Sequence, residues 1–111
     1  MSEGKHVECP AGAQALGLNP LEAHAAFMRD SLESVKSELE GDGVSSLTIV
    51  LPPATSEHDA WRRAIAGDLA RAYTPKRVNI AAGAKGEALD TILTFLRDAP
   101  GVTGHYVQAH D

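Results

Sequence analysis

The sequence predicts a three-layer α/β domain, with a small, mostly parallel sheet of three or four strands flanked by about three helices. Two observations predict this class. Short apolar runs of strand length alternate with longer segments in which apolar residues recur at helical spacing. The run Leu47 to Leu51 is apolar apart from Thr48, which is typical of parallel strands covered on both faces. We expect right-handed crossovers between the strands, and a single domain over residues 1–111.

Composition and charge argue against several function classes. The net charge is −5 and only 5% of the residues are aromatic, so binding to nucleic acid or to an anionic membrane is not expected. The one cysteine, Cys9, excludes an internal disulfide, and the lone His6-x-x-Cys9 pair predicts no metal site. The sequence has no signal-peptide core and no apolar run of about 20 residues, so we expect a cytoplasmic location.

The first predicted strand and helix lie in the N-terminal part of the chain. Val7 to Cys9 is compatible with a short strand. A long helix is predicted over residues 20–40, with Asn19 as its N-cap, Pro20 at the first helical position and Glu22 in a capping box. Its apolar residues follow a 4-3-4-3-4 spacing, which predicts that the helix packs on the chain's own sheet. Because this spacing is also that of a heptad repeat, the alternative is that the helix packs against a second subunit as well. These residues are Leu21, Ala25, Met28, Leu32, Val35 and Leu39.

The rest of the chain alternates strands and helices. Pro52-Pro53 ends the strand at 47–51, and a second helix follows in "SEHDAWRRAIAGDLARAY", with Ser56 as its N-cap. The next strand is "KRVNIAA", and the third helix lies in "GEALDTILTFLRDAPG". The last predicted strand is "VTGHYVQAH".

The segment "RVNIAAGAKGEALD" contains a candidate ligand site. A strand meets a glycine turn at a helix N-terminus there, an arrangement that holds phosphates in many folds. The candidate ligand-binding residues are Gly83, Lys85 and Gly86. However, the turn lacks the third glycine of a dinucleotide loop, and Glu87 and Asp90 in the first helical turn would repel a phosphate. A purely structural turn is therefore the alternative.

Isolated histidines and basic pairs are interpreted mainly as surface residues. His58 stands at a helix start between two acids, where solvation explains it better than catalysis. His24 lies at the edge of the apolar stripe, in a buried or interfacial position. The pairs Arg62-Arg63 and Lys76-Arg77 are interpreted as solvated surface. An enzyme built around His58 or His105 would require one of them to meet a carboxylate within hydrogen-bonding distance.

Two segments of the second half carry a family resemblance. Their characteristic residues are Leu69-Ala70, Pro75, Arg77-Val78-Asn79 and Gly83 in the first segment, and Phe95-Leu96, Asp98-Ala99 and Val102-Thr103-Gly104 in the second. In this order and spacing they resemble the C-terminal half of the short-chain dehydrogenase/reductase family, which has a Rossmann-type fold. The resemblance covers roughly residues 44 to 111 and implies one half of a Rossmann-like domain.

The departures from the family pattern imply that dehydrogenase chemistry is absent. Family catalysis uses a Tyr-x-x-x-Lys pair with a Ser, and the cofactor lies on a Thr-Gly-x-x-x-Gly-x-Gly loop. When Pro75 is aligned, Thr55 stands at the Tyr position and Asp59 at the Lys position, and the cofactor loop has no counterpart. The resemblance therefore implies a truncated relative with no catalytic residues and no cofactor.

The resemblance also implies a partner. Full-length family members associate through two long helices that correspond here to 20–40 and 57–72, and half of a doubly wound sheet leaves an edge and an apolar face uncovered. We expect a homo-oligomer, in first place a dimer, or association with a full-length dehydrogenase. The expected interface residues are Leu21, Met28, Leu32, Val35, Leu39 and Trp61. The alternative function is a small nucleotide-, NAD(P)- or metabolite-binding protein that uses the glycine turn.

Overall fold

The computed structural model describes residues 3–8 and 18–109, which form four strands, four α-helices and a 3₁₀ turn. In chain order these are β1 (Glu3–Glu8), α1 (Pro20–Asp30), α2 (Leu32–Leu39), β2 (Val44–Leu51), the 3₁₀ turn (Ser56–His58), α3 (Asp59–Ala72), β3 (Arg77–Ala82), α4 (Glu87–Asp98) and β4 (Tyr106–Gln108). The first strand begins earlier than predicted, and Cys9 lies outside the described residues. Within the described part of the chain, no helix has the length and apolar character needed to cross a membrane.

The four strands form one parallel sheet. They are ordered β1-β2-β3-β4, and each pair of neighbours is parallel. In the central pair, Leu47 lies opposite Val78 and Ile49 opposite Ile80, so these four side chains share one face of the sheet. The predicted α/β class with a small parallel sheet is confirmed.

Helices cover both faces of this sheet. On one face, α1, α2 and α3 pack against alternate residues of β2 and β3, namely Leu47, Ile49, Leu51, Val78 and Ile80. On the other face, Val50 and Ala81 pack against Leu89 and Leu96 of α4. Because α4 crosses this second face and contacts β1, β2 and β3, the expectation of an uncovered apolar face was wrong.

The connections between the strands do not all have the same hand. Helices α1 and α2 connect β1 to β2, and α3 connects β2 to β3, on one face, whereas α4 connects β3 to β4 on the other. Each strand is added on the same side of the strand before it. A crossover that passes over the opposite face of the sheet therefore has the opposite hand, so the last crossover differs in hand from the first two. The expectation of right-handed crossovers throughout was therefore wrong. The opposite hand places α4 where it shields Val50 and Ala81 from water.

The predicted helix over residues 20–40 begins as expected but is interrupted at Ser31. Asn19 accepts a hydrogen bond from the Glu22 amide at 2.8 Å, and the Glu22 side chain completes the capping box. The side chains that face the sheet follow a four-residue spacing: Ala23, Phe27, Ser31, Val35 and Leu39 are all at most 2% exposed. The heptad pattern therefore identified the inward face of α2 correctly but not that of α1, because it omitted Phe27 and the small residue Ala23.

The loop before β4 is fixed by a buried side chain of β3. Asn79 is 1% exposed, and its Nδ2 donates to the carbonyl of Val102 at 3.0 Å. Its Oδ1 accepts a hydrogen bond from the His105 amide at 3.0 Å. Because these bonds hold residues 102–105 as a loop, the last strand is shorter than predicted and begins only at Tyr106.

Arg77, at the start of β3, binds the C-terminus of α4. Its Nη1 donates to the carbonyls of Leu96 and Ala99 at 2.9 and 2.7 Å, and its Nη2 donates to the carbonyl of Arg97 at 2.9 Å. A guanidinium is well suited to this place, because the last carbonyls of a helix have no partner within the helix and carry partial negative charge. The neighbouring Lys76 donates to the carbonyl of Leu39. The interpretation of Lys76-Arg77 as solvated surface was wrong.

Candidate functional site

An open groove separates α1 and α2 from α3 on the outer side of the helical layer. Its volume is about 560 Å³, and its lining is mostly apolar. One wall carries Met28 and Leu32, and the other carries Ile65 and Leu69. Lys36 and Asp68 also line it, on opposite walls. We call this feature the helical groove; it lies on the face that the sequence predicts as an oligomer interface.

The predicted interface residues divide into outward and inward positions. Leu21 and Met28 are 80% and 45% exposed, and Leu32 is half-buried and lines the helical groove. The remaining three, Val35, Leu39 and Trp61, are at most 6% exposed, because they belong to the chain's own core. Only the outward three offer side-chain surface to a partner.

Two histidines contact Trp61, the one tryptophan of the chain. The indole Nε1–H donates to Nδ1 of His58 at 3.0 Å, and His58 is 5% exposed. His24 stacks on the same indole at 5.4 Å between ring centroids and 12° between the planes, and it also lines the helical groove. The interpretation of His58 as a surface residue was wrong, because the 3₁₀ turn directs it inwards against α3.

Tyr73 lies at the C-terminal end of α3 and lines the helical groove. Its hydroxyl donates to Oε2 of Glu40 at 3.0 Å. Burial, the hydrogen bond to Glu40 and the negative charges of Glu40 and Glu33 together raise the pKa of Tyr73 above its ordinary value of 10.0. This phenol therefore keeps its proton more firmly than a free tyrosine.

A second, smaller cleft lies at the carboxyl ends of the strands, where open α/β sheets place ligands. Its volume is about 130 Å³, and it is lined by Pro53, Ala54, Ala82, Gly83, Gln108 and Ala109. We call it the carboxyl-end cleft. Of the three residues predicted from the glycine turn, Gly83 lies in its wall, whereas Lys85 and Gly86 are exposed and lie outside it.

Gly83 has a structural reason to be glycine. A Cβ atom at this position would lie 2.7 Å from Cβ of Ala109, well inside van der Waals contact. Apart from its two chain neighbours, no atom of the described residues lies within 4 Å of a Cβ built on Gly86, which is the N-cap of α4 and forms no side-chain cap. The first glycine is therefore required by the close approach of the segment after β4.

A polar network next to the carboxyl-end cleft contains a buried arginine. Arg62 is 0% exposed, and its Nη1 donates to the carbonyl of Pro52 at 3.0 Å and to the hydroxyl of Tyr106 at 3.1 Å. Nε2 of Gln108 donates to the same hydroxyl at 2.9 Å and to Oδ1 of Asp59 at 3.0 Å. The interpretation of Arg62 as solvated was wrong, although its neighbour Arg63 is exposed.

A signal for this burial was present in the sequence. Arg62 precedes Ala66 by four residues and Leu69 by seven, so helical spacing places it on the apolar side of α3. The positive charge of Arg62 and its neighbour Arg63 favoured the interpretation as solvated surface instead. The structure assigns the two arginines to opposite environments because successive helical residues point about 100° apart.

The positions that the sequence aligns with the catalytic pair hold Thr55 and Asp59. Thr55 is exposed and precedes the 3₁₀ turn, and Asp59 accepts the hydrogen bond from Gln108 and lies 3.9 Å from Arg63. Among residues 3–8 and 18–109, no group of three His, Cys, Asp or Glu residues is placed to hold a metal ion.

A family model for short chain dehydrogenase-like proteins matches residues 12–109. The chain belongs to this short chain dehydrogenase-like family. The match confirms the resemblance of the second half, and it extends towards the N-terminus to include α1 and α2. Both walls of the helical groove and the whole polar network therefore lie in the matched region of this short chain dehydrogenase-like protein. No curated protein and no solved structure matches the chain.

Proposed function

We propose that this protein is a non-catalytic member of its family that works by associating with a second copy of itself through the face formed by α1, α2 and α3. The observation that carries the proposal is the helical groove, with Met28 and Leu32 on one wall and Ile65 and Leu69 on the other. Association through this groove would be stabilised by the removal of its apolar lining from water.

Exposed apolar side chains stand beside the groove. Leu21 and Met28 are seven residues apart on α1, so they project from the same side of the helix. A two-fold dimer requires one patch that is complementary to itself. A ridge of outward side chains next to a groove of matching chemistry meets this requirement, which favours a second copy over an unrelated partner.

The charges of the groove also favour a second copy. Lys36 lies on the wall formed by α2, and Asp68 lies on the wall formed by α3. If the two-fold axis runs along the groove, each wall faces the opposite wall of the second copy, and each Lys36 meets an Asp68 across the interface. Such pairs fix the register of an interface more than they add affinity.

The residues at the catalytic positions support a non-catalytic role. A dehydrogenase of this family needs a phenol that transfers a proton and a lysine beside it, and Thr55 and Asp59 supply neither group. Asp59 is held by Gln108 in the polar network. Neither position therefore supplies the proton transfer of a dehydrogenase, which favours a non-catalytic role.

Light scattering over a series of protein concentrations tests the proposal. We expect a dimer that dissociates on dilution, and Met28→Asp should weaken it at least tenfold, because a carboxylate would be buried against apolar side chains. Phe95→Asp is the matched control: Phe95 is 59% exposed but belongs to α4 on the other face, so the dimer should persist.

Charge reversal tests the register of the two copies. Lys36→Asp or Asp68→Lys alone should weaken the dimer, and the double variant should recover it. A wild-type protein that remains monomeric at every concentration would contradict the proposal. If that monomer instead binds a full-length dehydrogenase, the helical groove serves a heterologous partner.

A further inference from the structure

Arg62 is a buried cation whose charge is not neutralised within the described residues. The guanidinium is fully buried, and its two hydrogen-bond acceptors, the carbonyl of Pro52 and the hydroxyl of Tyr106, are both neutral. The nearby carboxylate of Asp59 is directed to Gln108 instead. A buried charge without a counter-ion is strongly destabilising, and an anion bound to it would remove that penalty.

The nitrogens without a partner form one complete edge of the guanidinium. Among the described residues, neither Nε nor Nη2 of Arg62 has a hydrogen-bond partner, whereas Nη1 has two. Nε–H and one Nη2–H are parallel, and this edge matches the two oxygens of a carboxylate. A complete bidentate donor pair is therefore buried and unused.

Two aromatic rings lie near the guanidinium. Its central carbon lies 5.4 Å from the ring centroid of Trp61 and 5.8 Å from that of Tyr106. Among the described residues neither ring accepts a hydrogen bond from Nε or Nη2, so this edge keeps both donors for the two oxygens of an anion.

Hydrogen bonds connect Arg62 to the carboxyl ends of the strands, where ligands bind in open α/β sheets. Pro52 follows β2, and Tyr106 is bonded to Gln108, which ends β4 and lines the carboxyl-end cleft. We propose that the Nε–Nη2 edge of Arg62 binds the carboxylate of a small molecule taken up at the carboxyl ends of β2 and β4. The site is independent of the helical groove and of self-association.

Titration with sodium acetate tests the proposal, with the ionic strength held constant by sodium chloride. Trp61 reports binding, because it is the one tryptophan and lies against Arg62. We expect a saturable change in its fluorescence and a higher melting temperature. Arg62→Gln should shift the half-saturating acetate concentration upwards at least tenfold, and Arg63→Gln, which removes an exposed charge from the next residue, should leave it unchanged.

A nuclear magnetic resonance measurement keeps the test valid even if Arg62→Gln does not fold. In the ¹⁵N-labelled wild-type protein, acetate should shift the Nε–H signal of Arg62 and leave that of Arg63 in place. A parallel titration with inorganic phosphate tests the assignment to a carboxylate. A response to phosphate without one to acetate overturns the carboxylate assignment, and the absence of any saturable response of Arg62 overturns the site.

Discussion

The backbone amide of Val78 donates a hydrogen bond to Oγ1 of Thr103 at 3.0 Å, which joins the two sequence segments that carry the family resemblance. The amide of Gly104 donates in return to the carbonyl of Val78 at 2.7 Å. Val78 and Thr103 are 25 residues apart in the chain, so the two bonds connect β3 to the loop before β4. We call this connection the joint. Thr103 and Gly104 therefore have a structural role in the fold.

Asn79→Ala should be among the most destabilising substitutions of this joint. It would leave the His105 amide and the Val102 carbonyl without their partner, and each such loss costs about 1–3 kcal/mol when the group is buried. We expect a loss of about 2–4 kcal/mol in the free energy of unfolding, measured with urea. Thr91→Ala, which removes an exposed bond to the Glu87 carbonyl, should cost less than about 0.5 kcal/mol. Equal losses in the two variants would contradict this role of Asn79.

Arg77→Met should loosen the end of α4. The substitution removes three bonds from the guanidinium to helix carbonyls, and we expect a loss of about 1–2 kcal/mol because Arg77 is only partly buried. Hydrogen exchange should accelerate in the last turn of α4. Arg97→Met is the matched control, since Arg97 is exposed and its side chain pairs only with Asp98 in the described structure. Unchanged exchange in Arg77→Met would show that the helix end does not depend on the guanidinium.

Gly83→Ala should destabilise the protein through one specific contact. The new methyl group would lie 2.7 Å from Cβ of Ala109, so the segment after β4 must move, at a cost of about 1–3 kcal/mol. Removing the second methyl group in Gly83→Ala/Ala109→Gly should recover part of the loss. Gly101→Ala should have little effect, because in the described part of the chain only its two chain neighbours lie within 4 Å of the added Cβ. Thermal unfolding of the four proteins distinguishes these outcomes.

Stability should fall at alkaline pH because of Tyr73. Burial, the hydrogen bond to Glu40 and the charges of Glu40 and Glu33 raise the pKa of this phenol, so the folded state holds its proton more tightly than the unfolded state. Its contribution is complete below the unfolded pKa of about 10 and is lost as the pH rises from there through the folded pKa. Urea unfolding at increasing pH should show a smaller alkaline loss in Tyr73→Phe than in the wild type.

Glu40→Gln separates the effect of the carboxylate from that of burial. Without the negative charge, the pKa of Tyr73 should move back towards its ordinary value, because one of the groups that raise it has been neutralised. Ultraviolet absorbance of the phenolate measures this pKa directly. An unchanged titration in Glu40→Gln would show that Glu40 has no influence on the phenol.

Local signals in the sequence determined much of the fold. The capping box at Asn19 and Glu22 and the β-branched strand at 77–82 stand at the predicted places, because both depend on residues that are neighbours in the chain. The alternation of strands and helices determined the parallel sheet. The residue motifs of the second half determined the family, which the family model confirms.

The candidate sites were decided by the tertiary structure. Helical spacing predicts the side of α3 on which Arg62 lies, but its partners Pro52 and Tyr106 are 10 and 44 residues away in the chain and follow from the tertiary structure alone. The same holds for the hand of the last crossover, which depends on the face of the sheet that α4 covers. The sequence by itself determined which elements form and in what order. Only the tertiary structure decided which side chains face outwards and which meet, because those contacts join residues that are far apart in the chain.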